Sequence, residues 1–260
     1  MRECPFVRPA CASFAAIACA VLLFAAGANS PENDFQFAIV GDRTGEAVAG
    51  VYERVLSDIA PEHPAFVVSV GDTIQGGDDH TARAEWRQLR PLWKRMRVPW
   101  FFAPGNHDVW SAASARIYTE ETGHPLCYSF DWKNAHFTIL DNSRTDDLSP
   151  AQLSFLESDL ARLTTRGPRF VVFHRSFWWV WLRLQNTNFE LQRIARKFAV
   201  TAVISGHVHE FDRMEQDGVT YLMVCSSGGH LRDTGPGWFF GHVLATVHDG
   251  HVAFTVHKLP

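Results

Sequence analysis

Cysteine is scarce in the body of this chain. Three of its five cysteines, Cys4, Cys11 and Cys19, lie in the first nineteen residues, leaving Cys127 and Cys225 for the remainder. That is too few for a disulfide framework to organise the fold. Each of the two sits in a strand-like run, 126–130 and 221–225, where a thiol serves as a small apolar side chain. They are expected as separate core thiols, although an oxidising compartment would let them pair. An excess of positive charge is also missing. Twenty-four Lys and Arg stand against twenty-eight Asp and Glu, a formal charge of -4, and no basic run occurs. Nothing in this balance suits a nucleic-acid groove or an anionic membrane surface, so nucleic acid is not an expected partner. Internal repeats, low-complexity tracts and Gly/Ser linkers are absent as well.

Apolar residues make up 46% of the chain and charged residues 20%, the balance of a globular protein with ample core. Nine Trp and twenty Phe make it rich in aromatics. The first stretch stands apart. Arg2 and Arg8 precede an apolar run over 10–26, and Ala26-Gly27-Ala28 supplies a small-x-small cleavage pattern. Residues 1–28 therefore read as a secretory signal peptide and 29–260 as one domain, exported to a periplasmic or extracellular location. The alternative is an uncleaved membrane anchor, since the apolar run approaches the ~18 residues that span a bilayer.

Five short apolar runs organise the remainder. Residues 37–40 end in Gly41-Asp42 and 66–70 in Gly71-Asp72. Residues 98–103 lead into Pro104-Gly105-Asn106-His107-Asp108, 170–173 end at His174, and 202–205 end in Gly206-His207-Val208-His209. Such runs read as buried strands of an α/β sheet, and open α/β folds bind ligands just past the carboxyl ends of their strands. All five should meet at one edge of a sheet. Singly, Asp42 and Asp72 can cap the segments that follow, and Asn106 can occupy a left-handed turn. Carboxylate, amide or imidazole donors in five segments at equivalent topological places point instead to a metal site.

Helices are expected over 47–60, 81–96, 150–163 and 189–198, the third with Ser149 as N-cap and Pro150 at its first position. Strands 127–132 and 135–141 should pair antiparallel about Lys133-Asn134. A closing meander of 219–225, 240–247 and 251–257 should turn at Asp249-Gly250. The aromatic cluster 177–181 follows His174 directly. It admits three readings: a wall that stacks substrate, a membrane-interface contact through Trp178, Trp179 and Trp181, or packing in the core.

The ordered set Gly41-Asp42, Gly71-Asp72, Gly105-Asn106-His107-Asp108, His174 and Gly206-His207-Val208-His209 resembles the signature of the calcineurin-like metallophosphoesterases. The resemblance implies a four-layer α/β/β/α sandwich of two mixed sheets flanked by helices. It also implies a centre of two divalent or trivalent ions, with Mn, Fe or Zn the expected choices. In that family's pattern Asp72 bridges both ions, Asp42 and His209 complete one, and Asn106, His174 and His207 complete the other. His107 faces the substrate as general acid while a hydroxide activated between the ions attacks phosphorus. The implied substrate is a small phosphomonoester or phosphodiester, with Arg43, Asn106, His107 and His230 as candidate substrate-binding residues. One position departs from the pattern. The family reads Asp-x-His in its first motif, and here Thr44 stands in place of that histidine. Water or the Gln75 amide oxygen can fill the gap. A degenerate, non-catalytic member that binds phosphate or another ligand is the alternative.

Overall fold

The computed structural model describes residues 31–164 and 166–260 of the chain. The expected signal peptide over 1–28 lies outside the described residues. Among the described residues no helix is long and apolar enough to cross a membrane.

Two mixed sheets form the middle of the molecule. The first contains β1 (Phe35–Val40), β2 (Val67–Ser69), β3 (Trp100–Phe102), β10 (Gly241–His248) and β11 (His251–Lys258), in the order β11-β10-β1-β2-β3. The second contains β4 (Tyr128–Trp132), β5 (Ala135–Ile139), β6 (Arg169–Arg175), β7 (Ala202–Gly206), β8 (Asp212–Gln216) and β9 (Val219–Met223), in the order β4-β5-β6-β7-β9-β8. The pairs β1–β2, β2–β3, β5–β6, β6–β7 and β7–β9 are parallel. Their strands are short apolar runs because both faces are covered.

Phenylalanine rings and aliphatic side chains fill the space between the sheets. Phe37 stacks on Phe66 at 5.0 Å between ring centroids and meets Phe137 and Phe170 edge-on. Phe137 in turn stacks on Phe170 at 4.6 Å and on Phe130 at 4.7 Å. Alternate residues of the same strands face outward. Ala38, Val40 and Val67 join α1 (Val51–Ile59), α2 (Ala82–Met96) and α3 (Ala112–Thr122) in one outer core. Val171, Phe173 and Val203 join α4 (Pro150–Ala161), α5 (Phe177–Arg183) and α6 (Glu190–Lys197) in the other. The result is the expected four-layer α/β/β/α sandwich. Cys127 packs in the second outer core and Cys225 between the sheets, and no disulfide joins them.

Four expectations change. The first helix starts at Val51 rather than 47, because Gly50 takes φ 78° at its N-cap and leaves Val48 exposed. The closing strands do not form one meander. Strand β9 lies in the second sheet beside β7, whereas β10 and β11 complete the first. The five donor-bearing strands do not share a sheet either: β1, β2 and β3 belong to the first sheet, β6 and β7 to the second. Finally, the aromatic cluster after His174 is the short helix α5, and it does not present its tryptophans to one surface. Trp178 is fully buried with its Nε1 donating to Ser205 Oγ at 2.8 Å, so it cannot reach a membrane interface. Trp179 donates to Asp212 Oδ2, and Trp181 remains partly exposed.

Candidate metal centre

The carboxyl ends of β1, β2 and β3 in one sheet and of β6 and β7 in the other lie together along one edge of the sandwich, and the donors converge there. Asp42 follows β1, Asp72 follows β2, and Asn106 and His107 follow β3. His174 lies near the end of β6, and His207 and His209 follow β7. The close approach explains the glycines beside them. A Cβ on Gly105 would lie 2.2 Å from Asp72 Oδ1, and one on Gly206 would lie 2.5 Å from Asp42 Oδ1. Asp72, His207 and His209 themselves adopt left-handed backbones, with φ of 53°, 74° and 72°. Non-glycine residues reach that region at a cost and hold it where the surroundings enforce it.

His174 is the hub. Its Nδ1 lies 2.9 Å from the Val70 carbonyl, which takes the ring proton there and turns Nε2 toward the cluster. Nε2 is 3.1 Å from Asn106 Oδ1, 3.1 Å from His207 Nδ1 and 3.2 Å from Asp72 Oδ2. One proton cannot serve three lone-pair atoms at once. The ligand atoms of Asp72, His174 and His207 all lie within 4.8 Å of one another. A set of carboxylate, amide oxygen and imidazole nitrogen fits a transition-metal ion. Beside it, His209 Nε2 lies 3.4 Å from Asp42 Oδ2, while its Nδ1 donates to the His230 carbonyl at 2.6 Å. These second contacts fix tautomer and ring orientation, as outer partners do at metal sites.

The electrostatics follow from burial and crowding. Burial opposes charge on His174, but Asp72 and Asp42 outweigh it and hold the imidazole up at about 9. Burial would also raise Asp72; His174 and His107 outweigh it and bring the carboxyl to about 2. His207 is pushed down to about 4, by burial first and the His174 charge next. For His209, burial acts downward and the Asp42 carboxylate wins upward. Negative charge and basic nitrogen thus accumulate at one buried point, which is what a cation site requires.

The supporting residues carry no motif of their own. Asp108 is fully buried and accepts the backbone N–H groups of Thr73, Ile74 and Gly105 at 2.8–3.1 Å, tying the loop after β2 to the turn after β3. Burial, then the Asp72 charge, pushes it up to about 7 against those donors. Asn142 Oδ1 accepts the N–H groups of His174 and Arg175. Ser227 Oγ accepts the Gly41 N–H and donates to the Gly241 carbonyl.

The remaining sequence candidates fall as follows. His107 is half-buried beside the cluster, its N–H donating to Asp72 Oδ1 and its Nδ1 2.6 Å from the Gln75 carbonyl. Thr44 is buried, and its hydroxyl donates to Gln75 Oε1. The histidine position of the usual first motif is therefore filled by a threonine–glutamine pair. Arg43 donates to the Thr73 carbonyl at 3.3 Å and lies 5.9 Å from the centroid of the Tyr52 ring, with no carboxylate at ion-pair distance among the described residues. His230 contributes its carbonyl, and its side chain is exposed.

The chain resembles known proteins along most of its length. The family model for calcineurin-like phosphoesterases matches residues 35–211. Purple acid phosphatase 13 of Arabidopsis thaliana is 24% identical over 193 residues, covering 63% of this chain and 35% of that protein. The chain thus spans about a third of that relative's length. The 3',5'-cyclic-nucleotide phosphodiesterase alr5338 of Nostoc sp. is 27% identical over 192 residues, covering 70% of this chain and 69% of its own. Among solved structures, the purple acid phosphatase PPD1 of yellow lupin superposes with a TM-score of 0.70 at 19% identity, over 86% of this chain and 51% of that one. With the sandwich and the converging donors both in place, this chain belongs to the calcineurin-like phosphoesterase family.

Proposed function

We propose that the protein is an exported, metal-dependent hydrolase of small phosphoric esters, monoesters or diesters. The observation that carries the reading is the convergence of Asp72, Asn106, His207 and His174 Nε2 on one buried point between the sheet ends. Asn106, His174 and His207 would hold one ion, Asp42 and His209 a second, and Asp72 both, with Fe, Mn or Zn as the ions. When bound, such a pair polarises a phosphoryl oxygen and lowers the pKa of a nearby water. A carboxylate suits the shared position because its two oxygens carry lone pairs for both ions.

The chain's own groups supply the remainder. Donation from Nδ1 to the Gln75 carbonyl leaves His107 Nε2 to carry a proton to the leaving oxygen, general-acid work typically worth 10²–10⁴ in rate. The backbone bond from His107 to Asp72 keeps that imidazole in register with the centre. Arg43 keeps N–H donors beyond the one spent on Thr73 and can pair with a phosphate as a fork. The occupied Thr44–Gln75 pair supports a second reading, a ligand-binding member with an incomplete ion site at Asp42 and His209 and no turnover.

Elemental analysis of the purified mature protein, paired with hydrolysis of p-nitrophenyl mono- and diesters under added Mn, Zn, Fe, Ni, Mg or Ca, tests both readings. At least two ions per chain, with turnover that drops in His107→Ala, is the result expected. Absence of turnover with every metal would overturn the hydrolase and leave the binding protein.

A further inference from the structure

On the outer, helix-covered face of the first sheet lies a second group of potential ligands. His242 on β10 and His257 on β11 are directly opposed across the antiparallel pair, so their side chains share one face. Their rings lie nearly parallel, with centroids 4.7 Å apart and planes 23° apart. Asp58, in the last turn of α1, brings Oδ2 to 3.6 Å from His242 Nδ1. One ligand atom from each of the three can be chosen so that all lie within 4.8 Å of one another.

His242 is the unusual member. It is fully buried, yet neither ring nitrogen has a hydrogen-bond partner among the described residues. A buried polar group without a partner costs ~1–3 kcal/mol, and here two nitrogens of one ring are in that state. The neighbours offer little relief. Val40 of β1 is the opposing residue on its other side, and Arg54, one turn earlier on α1, is engaged with the Pro260 carbonyl at 3.0 Å. The Asp58 carboxylate stands too far for a hydrogen bond but near the spacing of two ligands on one ion. Ligands ~2.0–2.1 Å from a tetrahedral metal lie about 3.4 Å apart.

We propose that Asp58, His242 and His257 form a metal site separate from the centre at the sheet ends. It takes one Zn2+-class ion through two imidazoles and a carboxylate, with solvent at the open position. Imidazole donors favour Zn, Ni, Co or Cu over Mg or Ca. The partly exposed His257 and exposed Asp58 give the ion an entry, and its binding fastens α1 to the β10–β11 hairpin.

The test is zinc stoichiometry of the full chain after equilibrium dialysis at micromolar Zn2+, measured on wild type, His257→Ala, Asp58→Asn and the control His251→Ala. His257 and Asp58 are not core residues, so these variants keep the fold that His242→Ala endangers. The wild type and the control are expected to hold one more zinc per chain than His257→Ala, with Asp58→Asn binding that ion at least ten-fold more weakly. Hydrolysis of p-nitrophenyl phosphate stays at the wild-type level in all three. The difference of one ion persists even if the sheet-end centre takes no zinc, so the two readings fail separately. Equal zinc in wild type, His257→Ala and Asp58→Asn would overturn the site, as would an equal loss in the His251→Ala control.

Discussion

Replacing His136 by phenylalanine removes one partner from a buried charge cluster, and the structure sets the size of the effect. His136 on β5 is 5% exposed, with Nε2 2.9 Å from Asp159 Oδ2 and Nδ1 2.6 Å from Asp131 Oδ1. Asp159 is buried and also accepts from Thr138, Ser129 and Arg162, whereas Asp131 has a side chain 72% exposed. Breaking a buried ion pair costs about 3–5 kcal/mol, because the charge left behind is uncompensated. Three donors remain on Asp159, so the low end applies, ~3 kcal/mol. At about 2–4 °C per kcal/mol for a protein of this size, Tm should fall by ~6–12 °C. Asp131→Ala should cost less than ~1 kcal/mol, as exposed pairs do.

The pH dependence has a definite sign. Burial would lower the His136 pKa, but its bonds to Asp159 and Asp131 outweigh that and raise it above 6.5. Its stabilisation is therefore complete below pH 6.5 and fades as pH rises through the folded value. For Asp159 burial acts upward and is outweighed by His136, Thr138 and Ser129, so its pKa falls below 3.8. Its share is present above that pH and is lost on acidification. Urea denaturation of wild type and His136→Phe at pH 5.5 and pH 8.5 should show the wider gap at pH 5.5. A variant within 1 kcal/mol of wild type at pH 5.5, or one that loses less than Asp131→Ala, would refute the reasoning.

Other expectations concern the centre. His107→Ala should lower kcat by ~10²–10⁴ while metal content, read by elemental analysis, stays at the wild-type value. Asn142→Ala leaves the N–H groups of His174 and Arg175 unpaired and should weaken metal binding by ~10–100-fold in competition with a chelator. Thr44→His releases Gln75 and adds an imidazole beside Asp42 and His209; retention of the second ion should tighten by ~10-fold in the same assay.

Much of the architecture was legible where residue chemistry was concentrated. The apolar runs ending at Asp42, Asp72 and His174 are strands buried on both faces, and the turns at Lys133-Asn134 and Asp249-Gly250 lie where positive φ is needed. Helix α3 was missed because Ile117 and Tyr118 supply almost all of its buried apolar surface. Its signal was the Ser111–Ser114 capping box instead. Strand β8 was missed because it is a polar edge strand, Asp212-Arg213-Met214-Glu215-Gln216, of the kind that discourages edge-to-edge association. The assignment of β9 to the second sheet depends on pairing across the fold, which local periodicity does not encode. The site shows the same division. The donors were visible as motifs, but Asn142 and Ser227 act through backbone groups brought near only by folding.

One consequence follows from the division of the donors between the two sheets. Asp42, Asp72 and Asn106 ride on one slab and His174, His207 and His209 on the other, and stacked phenylalanine rings among aliphatic side chains lie between the slabs. Stacked rings tolerate a small lateral slip, since dispersion falls off gradually with displacement. Ligation does not, because a donor displaced by half an ångström is no longer a ligand. Mild denaturant or heat should therefore silence the protein before either slab loses its hydrogen bonds, so that its working range is narrower than its folded range.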